Sequence, residues 1–217
     1  MKKIRGIIFD LDGVLVFTDK FHYQAWKGIA DGLGIPFNEE INNRLRGVSR
    51  MDSLEIILEQ YHGEALTKGR KEELAAQKNT LYRKLLETMT PDDVAPQVRH
   101  TLAVLRERGI RLSVGSSSKN ARFILERVNM LDAFDAISDG NNITKSKPDP
   151  EVFLKGAEFL ALEPEECAVV EDAHAGIDAA KAGNMLAIGI GDACTYEKTD
   201  YRLNTLSDLL EIVDKIG

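Results

Sequence analysis

The sequence predicts an α/β protein: a doubly wound, Rossmann-like parallel-sheet core with a helical cap domain inserted after the first strand. Three observations carry this. Short apolar runs alternate with helix-period segments from about residue 89 onward, the pattern of a parallel sheet with helices on both faces. A long stretch that reads only as helix separates the first strand from that alternation. Acidic pairs close two of the apolar runs, at strand ends where open α/β sheets bind ligands. The expected division is a core of residues 1–16 and 89–217 and a cap of residues 17–88.

The first strand is the apolar run Ile7-Ile8-Phe9, followed by Asp10-Leu11-Asp12-Gly13-Val14. Strand side chains repeat every two residues, so Asp10 and Asp12 can enter one cleft. Gly13 lets the backbone turn sharply behind them. Phe21, Ala25, Ile29 and Leu33 then recur at four-residue spacing, and Gly34 ends that helix. Ser49-x-x-Asp52 resembles a capping box ahead of Leu54, Ile57, Leu58 and Tyr61. A third cap helix is expected to carry Leu74, Leu81 and Leu85, and Thr90-Pro91-Asp92-Asp93 marks a boundary.

The core then alternates. A helix through Leu102 and Leu105 ends at Gly109, and a strand runs through Leu112 and Val114. A helix through Ile124 and Val128, a short strand at Ala136-Ile137 and a helix through Val152 and Phe153 follow. Residues 168–170 form a strand, a helix ends at Gly183, and residues 186–190 form the last predicted strand.

Bulk properties narrow the class. With 217 residues and 43% hydrophobic content, the chain can bury one substantial core and a small accessory domain. A net charge of −7 argues against nucleic-acid or anionic-membrane partners. Cys167 and Cys194 form no Cys-x-x-Cys and no metal spacing, which suits two reduced thiols in a cytoplasmic protein. Asp10 and Asp12 interrupt the apolar stretch behind Met1-Lys2-Lys3-Ile4-Arg5, so neither a signal peptide nor a membrane span is expected.

Two acids this close repel unless a cation, a shared proton or hydrogen bonds separate their roles. That suits a magnesium-dependent site in which one Asp attacks phosphorus and the other moves a proton. An exposed acidic strand end or a calcium loop would show the same pair. Three later segments sharpen the reading: Val114-Gly115-Ser116-Ser117-Ser118-Lys119-Asn120, Lys145-Ser146-Lys147-Pro148-Asp149-Pro150 and Ala168-Val169-Val170-Glu171-Asp172. Asp-x-Asp, Ser, Lys and Glu-Asp in this order resemble the haloacid dehalogenase-like superfamily of phosphotransferases.

Within that superfamily, His22-Tyr23-Gln24-Ala25-Trp26-Lys27, Leu45-Arg46-Gly47-Val48-Ser49-Arg50, Lys78-Asn79 and Ser116-Ser117-Ser118-Lys119-Asn120 resemble the β-phosphoglucomutase family. The resemblance implies Asp10 as nucleophile and Asp12 as acid/base. It implies Ser116, the Ser117 amide and Lys147 around the transferring phosphoryl group, whose transfer is stabilised mostly electrostatically. Asp10, the Asp12 carbonyl, Asp172 and Glu171 are the implied Mg²⁺ set, with oxygen ligands of the kind that cation takes. Arg50, Ser118 and Asn120, with Lys119 nearby, would hold a second phosphate, Arg50 through a bidentate fork. His22 and Lys78 would hydrogen-bond the sugar and Asp12, Arg46 and Gly47 would border the sugar, and Trp26 would either close against the sugar or simply pack the cap.

Three departures stand out. Phe17 occupies a position where related sequences commonly carry a polar or acidic residue, Arg46 replaces an expected Lys, and Ala173 follows Glu171-Asp172 where related sequences vary. The function implied is interconversion of β-glucose 1-phosphate and glucose 6-phosphate through an aspartyl phosphate and a bisphosphate. The partner is a small-molecule sugar phosphate, and a monomer is expected. The alternative is a magnesium-dependent sugar-phosphate phosphatase of the same superfamily. A phospho-receiver module shares an acceptor Asp and a Lys on an α/β fold, but the helical insert and an acceptor on the first strand argue against it.

Overall fold

The computed structural model describes residues 3–216. Strands β1 (Gly6–Phe9), β2 (Arg111–Gly115), β3 (Ala136–Ser138), β4 (Cys167–Glu171), β5 (Leu186–Ile190) and β6 (Tyr201–Leu203) form one sheet. Their order is β3-β2-β1-β4-β5-β6, with every pair parallel. The chain winds outward from β1 in one direction to β3 and in the other to β6. The order therefore reverses beside β1, and a crevice opens beyond its carboxyl end.

Strand periodicity divides the core. Ile7, Phe9, Leu112, Val114 and Val170 pack into one buried cluster with Val98, Leu102, Ile124 and Ile212. Those four lie on α5 (Pro96–Glu107), α6 (Ala121–Arg127) and α9 (Leu209–Ile216). Ile8, Val169 and Ala187 point the opposite way and pack with Val152, Phe153 and Ile177, on α7 (Glu151–Phe159) and α8 (His174–Ala182). The sheet is covered on both faces, as parallel sheets are.

Helices α1 (Asp19–Gly32), α2 (Glu39–Asn43), α3 (Arg50–Leu58) and α4 (Lys68–Leu86) lie between β1 and β2 in the chain. They carry a cluster of their own around Trp26, Ile29, Leu54, Ile57 and Leu74. Phe21, Ala25, Tyr82 and Leu86 instead join the sheet-side cluster, so the base of the cap is packed into the core. The expected stop at Gly34 holds: α1 ends at Gly32, and Gly34 adopts φ +68°.

Three expectations change. The buried face of α4 is Leu74, Ala75, Lys78, Tyr82 and Leu86, while Leu81 is exposed. Leu74 is buried and Leu85 packs half-buried against the core cluster as expected, and a lysine and a tyrosine fill the stripe between Leu74 and Leu86. At Ser49, Oγ accepts from the Asp52 amide at 3.2 Å, but the Asp52 carboxylate accepts from Ser49 Oγ at 2.6 Å and from Ser146 Oγ at 3.2 Å. It is an N-cap whose acid reaches the core, not a reciprocal box. Finally, α2, β6 and α9 are additional elements, too short or too late in the chain for the apolar-run pattern to mark them.

Candidate active site

The crevice and the cap enclose one cavity of about 770 Å³, lined from the core by Asp10, Asp12, Ser116–Asn120, Glu171 and Asp172. From the cap it is lined by His22, Trp26, Arg46, Gly47, Arg50 and Lys78. Of the residues singled out from the sequence, only Lys147 is not among its lining. It sits immediately behind, fully buried, with Nζ 2.5 Å from Asp10 Oδ1 and 2.5 Å from Glu171 Oε1.

Backbone geometry sets the acids. The Asp10 amide continues the sheet by donating to the Val170 carbonyl at 2.9 Å. The chain then turns so that Asp12 bridges Val16 and the Gly13 amide reaches the Val16 carbonyl at 2.7 Å. Gly13 adopts φ +89°, and a Cβ there would lie 2.2 Å from Asp172 Oδ2. Gly176 has a similar role on α8, where a Cβ would come within 1.9 Å of the Glu171 carboxyl carbon. Both glycines let the backbone approach a carboxylate that any larger residue would displace.

The electrostatics are dominated by burial. Burial holds the Asp10 carboxyl well above the ordinary carboxylate value against the pull of Lys147, with Glu171, Asp172 and Asp12 adding to the rise. Asp172 is pushed up to about 7 by burial and by the Glu171 charge. Lys147 is opposed by burial, but the Asp10 and Glu171 carboxylates outweigh it and keep the ammonium charged. Four carboxyl groups thus share one neighbourhood with one buried ammonium between two of them.

This is the test for a metal. Among the described residues, no three His, Cys, Asp or Glu side chains form a ready ligand set. Lys147 engages Glu171 Oε1, and the Ala173 amide engages Oε2 at 2.8 Å, so Glu171 serves better as a support than as a ligand. The donor chemistry nevertheless fits a hard divalent cation. Asp10, Asp172 and the Asp12 carbonyl offer oxygen alone, and the excess of buried carboxyl charge calls for a compensating positive ion.

Asp12 is held differently. Burial raises its pKa, and a hydrogen bond from Thr18 opposes the rise. Thr18 Oγ1 donates to Asp12 Oδ1, and the buried Tyr82 hydroxyl donates to Thr18 Oγ1 at 3.0 Å. This Tyr82–Thr18–Asp12 chain ties α4 to the first loop. Beside it, Lys78 Nζ lies 2.9 Å from His22 Nδ1 and over the rings of Tyr82 and Trp26 at 4.2 and 5.0 Å. Lys78 is 2% exposed, not a surface lysine. Burial and the Arg50 charge lower it to about 7. Burial and the charges of Lys78 and Arg50 hold His22 well below the ordinary imidazole value, so the ring faces Lys78 as a neutral hydrogen-bonding group.

At the distal end, Arg50 Nη2 donates to Asn79 Oδ1 at 2.7 Å, and Asn120 Nδ2 donates to the same oxygen at 2.9 Å. Burial works against the Arg50 charge, leaving a partly desolvated cation beside the cavity. Ser118 Oγ accepts from the Asn120 amide and Ser116 Oγ from the Ser118 amide, each at 3.2 Å. Asn79, Thr18 and Tyr82 are site residues that the sequence pattern does not mark, Asn79 being notable there only as the neighbour of Lys78.

Several contacts close the cap over the core. Ser117 Oγ donates to the Gly47 carbonyl at 3.2 Å. Arg46 reaches Asp192 at 3.1 Å and Asp19 at 3.8 Å, so its guanidinium is directed to carboxylates across the seam. Trp26 is fully buried in the cap cluster and borders the cavity with Lys78 over its ring. Lys145 is an exposed loop lysine paired with Asp149 at 3.4 Å. Phe17 stands at the cavity rim, 68% exposed.

The sequence matches a family model described as haloacid dehalogenase-like hydrolase over residues 4–184. The beta-phosphoglucomutase of Bacillus subtilis (strain 168) is 42% identical over 209 residues, covering 95% of this chain and 92% of that protein. A phosphorylated carbohydrates phosphatase of Thermotoga maritima is 30% identical over 185 residues, covering 84% of this chain and 82% of its own. Among solved structures, a beta-phosphoglucomutase from Clostridium difficile matches with a TM-score of 0.91 at 34% identity, covering 98% of this chain and 96% of that one.

Proposed function

From the premise that this chain belongs to the haloacid dehalogenase-like hydrolase family, we propose that it is a phosphomutase interconverting β-glucose 1-phosphate and glucose 6-phosphate. The observation that carries the choice is the distal donor pair. Arg50 and Asn120 line the same cavity that Asp10 enters, and both donate to one oxygen, Asn79 Oδ1. A mutase must hold one phosphate while the other reacts, and a bisphosphate intermediate presents each end in turn.

In the proposed reaction Lys147 occupies Asp10 Oδ1, leaving Oδ2 to attack phosphorus. The new O–P bond forms as the bond to the leaving sugar oxygen breaks, and Asp12 gives that oxygen its proton. Burial keeps Asp12 able to hold this proton, and the Thr18 bond fixes its orientation. In the second step Asp12 takes the proton of the accepting hydroxyl, which attacks the aspartyl phosphate and restores Asp10. Ser116 and Lys147 face the phosphoryl oxygens, whose charge must be balanced throughout. Mg²⁺, held by Asp10, Asp172 and the Asp12 carbonyl with Glu171 in support, would supply further positive charge there.

The cap-to-core contacts support a closed state that excludes water from the aspartyl phosphate. The relatives include a sugar-phosphate phosphatase, in which water would complete the same first half-reaction. Incubation with magnesium, β-glucose 1-phosphate and a trace of the 1,6-bisphosphate separates the two. Accumulation of glucose 6-phosphate is expected, and accumulation of inorganic phosphate in its place would overturn the proposal. The described residues contain no helix long and apolar enough to cross a membrane. A monomer bound to no nucleic acid remains part of this reading.

A further inference from the structure

We propose that Arg83 is a positioning residue for the distal phosphate: it fixes the amide of Asn120 so that its donor faces the anion. The inference rests on the mutase reading. Arg83 lies one turn beyond Asn79 on α4, on the outer side of the seam. Its Nη1 donates to Asn120 Oδ1 at 3.2 Å, and its guanidinium carbon stands 4.2 Å from the centre of the Phe123 ring on α6. One cap residue thus reaches two positions of the core.

The direction of the hydrogen bonds makes this consequential. An amide side chain has one donor end and one acceptor end of nearly equal size, so an isolated Asn120 could present either to the cavity. Arginine has donors only, so Arg83 must take the oxygen. The Asn120 NH₂ group is thereby turned the other way, where it meets Asn79 Oδ1 at 2.9 Å beside Arg50 at 2.7 Å. Arg50 also has donors only, so it fixes the Asn79 oxygen from the far side. Two arginines at the ends of the chain define the polarity of both amides between them.

The outcome is two donors that converge on one oxygen, that of Asn79, and whose remaining N–H groups would meet a phosphate oxygen at the distal end. A reversed Asn120 would place its carbonyl oxygen toward that anion and repel it. Phe123 holds the guanidinium in place through a cation–π contact, and both partners of Arg83 are on the core, so the orientation depends on α4 being seated there. Arg83 therefore links cap closure to a correctly turned phosphate donor. It touches no substrate in this arrangement and acts through Asn120.

Binding of glucose 1,6-bisphosphate, measured by calorimetry with magnesium on the Asp10→Asn protein, tests this without turnover. Arg83→Met, which keeps length and removes the donors, should weaken binding roughly two- to tenfold, the range of one hydrogen bond. Arg83→Lys should recover part of the loss. On an Asn120→Ala background, Arg83→Met should cost less than about twofold, because the group it orients is gone. Losses that multiply independently, or an Arg83→Met protein that binds like its parent, would overturn the proposal. Should Arg83→Met fail to fold, Arg83→Lys with and without Asn120→Ala supplies the same cycle. A parent protein that binds no bisphosphate would overturn the mutase reading and the subsite together, an outcome distinct from failure of Arg83 alone.

Discussion

Replacing Arg50 by alanine tests the distal anchor directly. The guanidinium donates to Asn79 Oδ1 at 2.7 Å, and burial already disfavours its charge. A partly desolvated cation gains more from an anion than one in open water does. A hydrogen bond to a charged group contributes about 1.5–3 kcal/mol net, and about 1.4 kcal/mol is tenfold in rate or affinity. Arg50→Ala should therefore lower mutase kcat/KM by roughly ten- to a hundredfold or somewhat more. Arg50→Lys should recover only part, because an ammonium cannot reproduce the two-pronged geometry.

The structural cost of the change should be small. Asn79 Oδ1 keeps its bond from Asn120 Nδ2, so no buried acceptor is orphaned, and the loss should stay near the roughly 1 kcal/mol of an ordinary hydrogen bond. The assay couples glucose 6-phosphate formation to its oxidation and runs beside acetyl phosphate hydrolysis, which has no distal group. Mutase activity should fall far more than hydrolysis. Equal losses in both would mean that Arg50 supports the cap fold, and no loss in either would refute it as the distal anchor.

Asp10→Asn should abolish isomerisation and hydrolysis alike while leaving thermal stability equal or higher, since it removes one carboxylate from a crowded group and Lys147 keeps Glu171; residual turnover would refute the nucleophile. Asp172 is raised from 3.8 to about 7 by burial and Glu171, so its contribution to stability is present below the unfolded value and is lost as pH rises through about 7. Chelator-treated protein should accordingly melt lower at pH 8 than at pH 5, and added magnesium should raise Tm more at pH 8 than at pH 6; magnesium shifts equal at both pH values would contradict the ligand assignment. Thr18→Val removes the hydrogen bond that favours ionised Asp12, so the pH–rate limb belonging to Asp12 should move to higher pH with a reduced kcat; an unmoved limb would detach Thr18 from the acid/base.

The core acids were legible because each sits at the end of a strand. Asp10, Glu171 and Asp172 close apolar runs that a parallel sheet must bury, and Lys147 lies in the turn that leads to Pro150, the N-cap of α7. The cap's share was harder to read. On α4 the buried stripe is Leu74, Lys78, Tyr82 and Leu86, at a four-residue spacing whose middle members are polar and so do not stand out beside Leu74, Leu81 and Leu85. Asn79 and Arg83 form the adjacent stripe with the same spacing. A helical pattern marks which positions are buried when they are apolar. It is silent when the buried groups are polar and their partners are distant in the chain.

Those partners are distant indeed. His22 lies 56 residues from Lys78, Thr18 64 from Tyr82, Asn120 41 from Asn79 and 37 from Arg83. Each pair becomes sensible only after α4 is laid over the crevice. The cap residues that meet the cavity therefore owe their identity to a surface that exists only in the closed molecule. Lys78 shows why this matters chemically: the same burial that hides it from a sequence pattern lowers it to about 7. An ammonium poised so near neutrality responds to Asp12, whose charge raises it, and to Arg50, whose charge lowers it. Occupying the distal site with a phosphate would offset the Arg50 charge and favour protonated Lys78 beside Asp12, so binding at one end of the cavity would adjust the acid/base at the other.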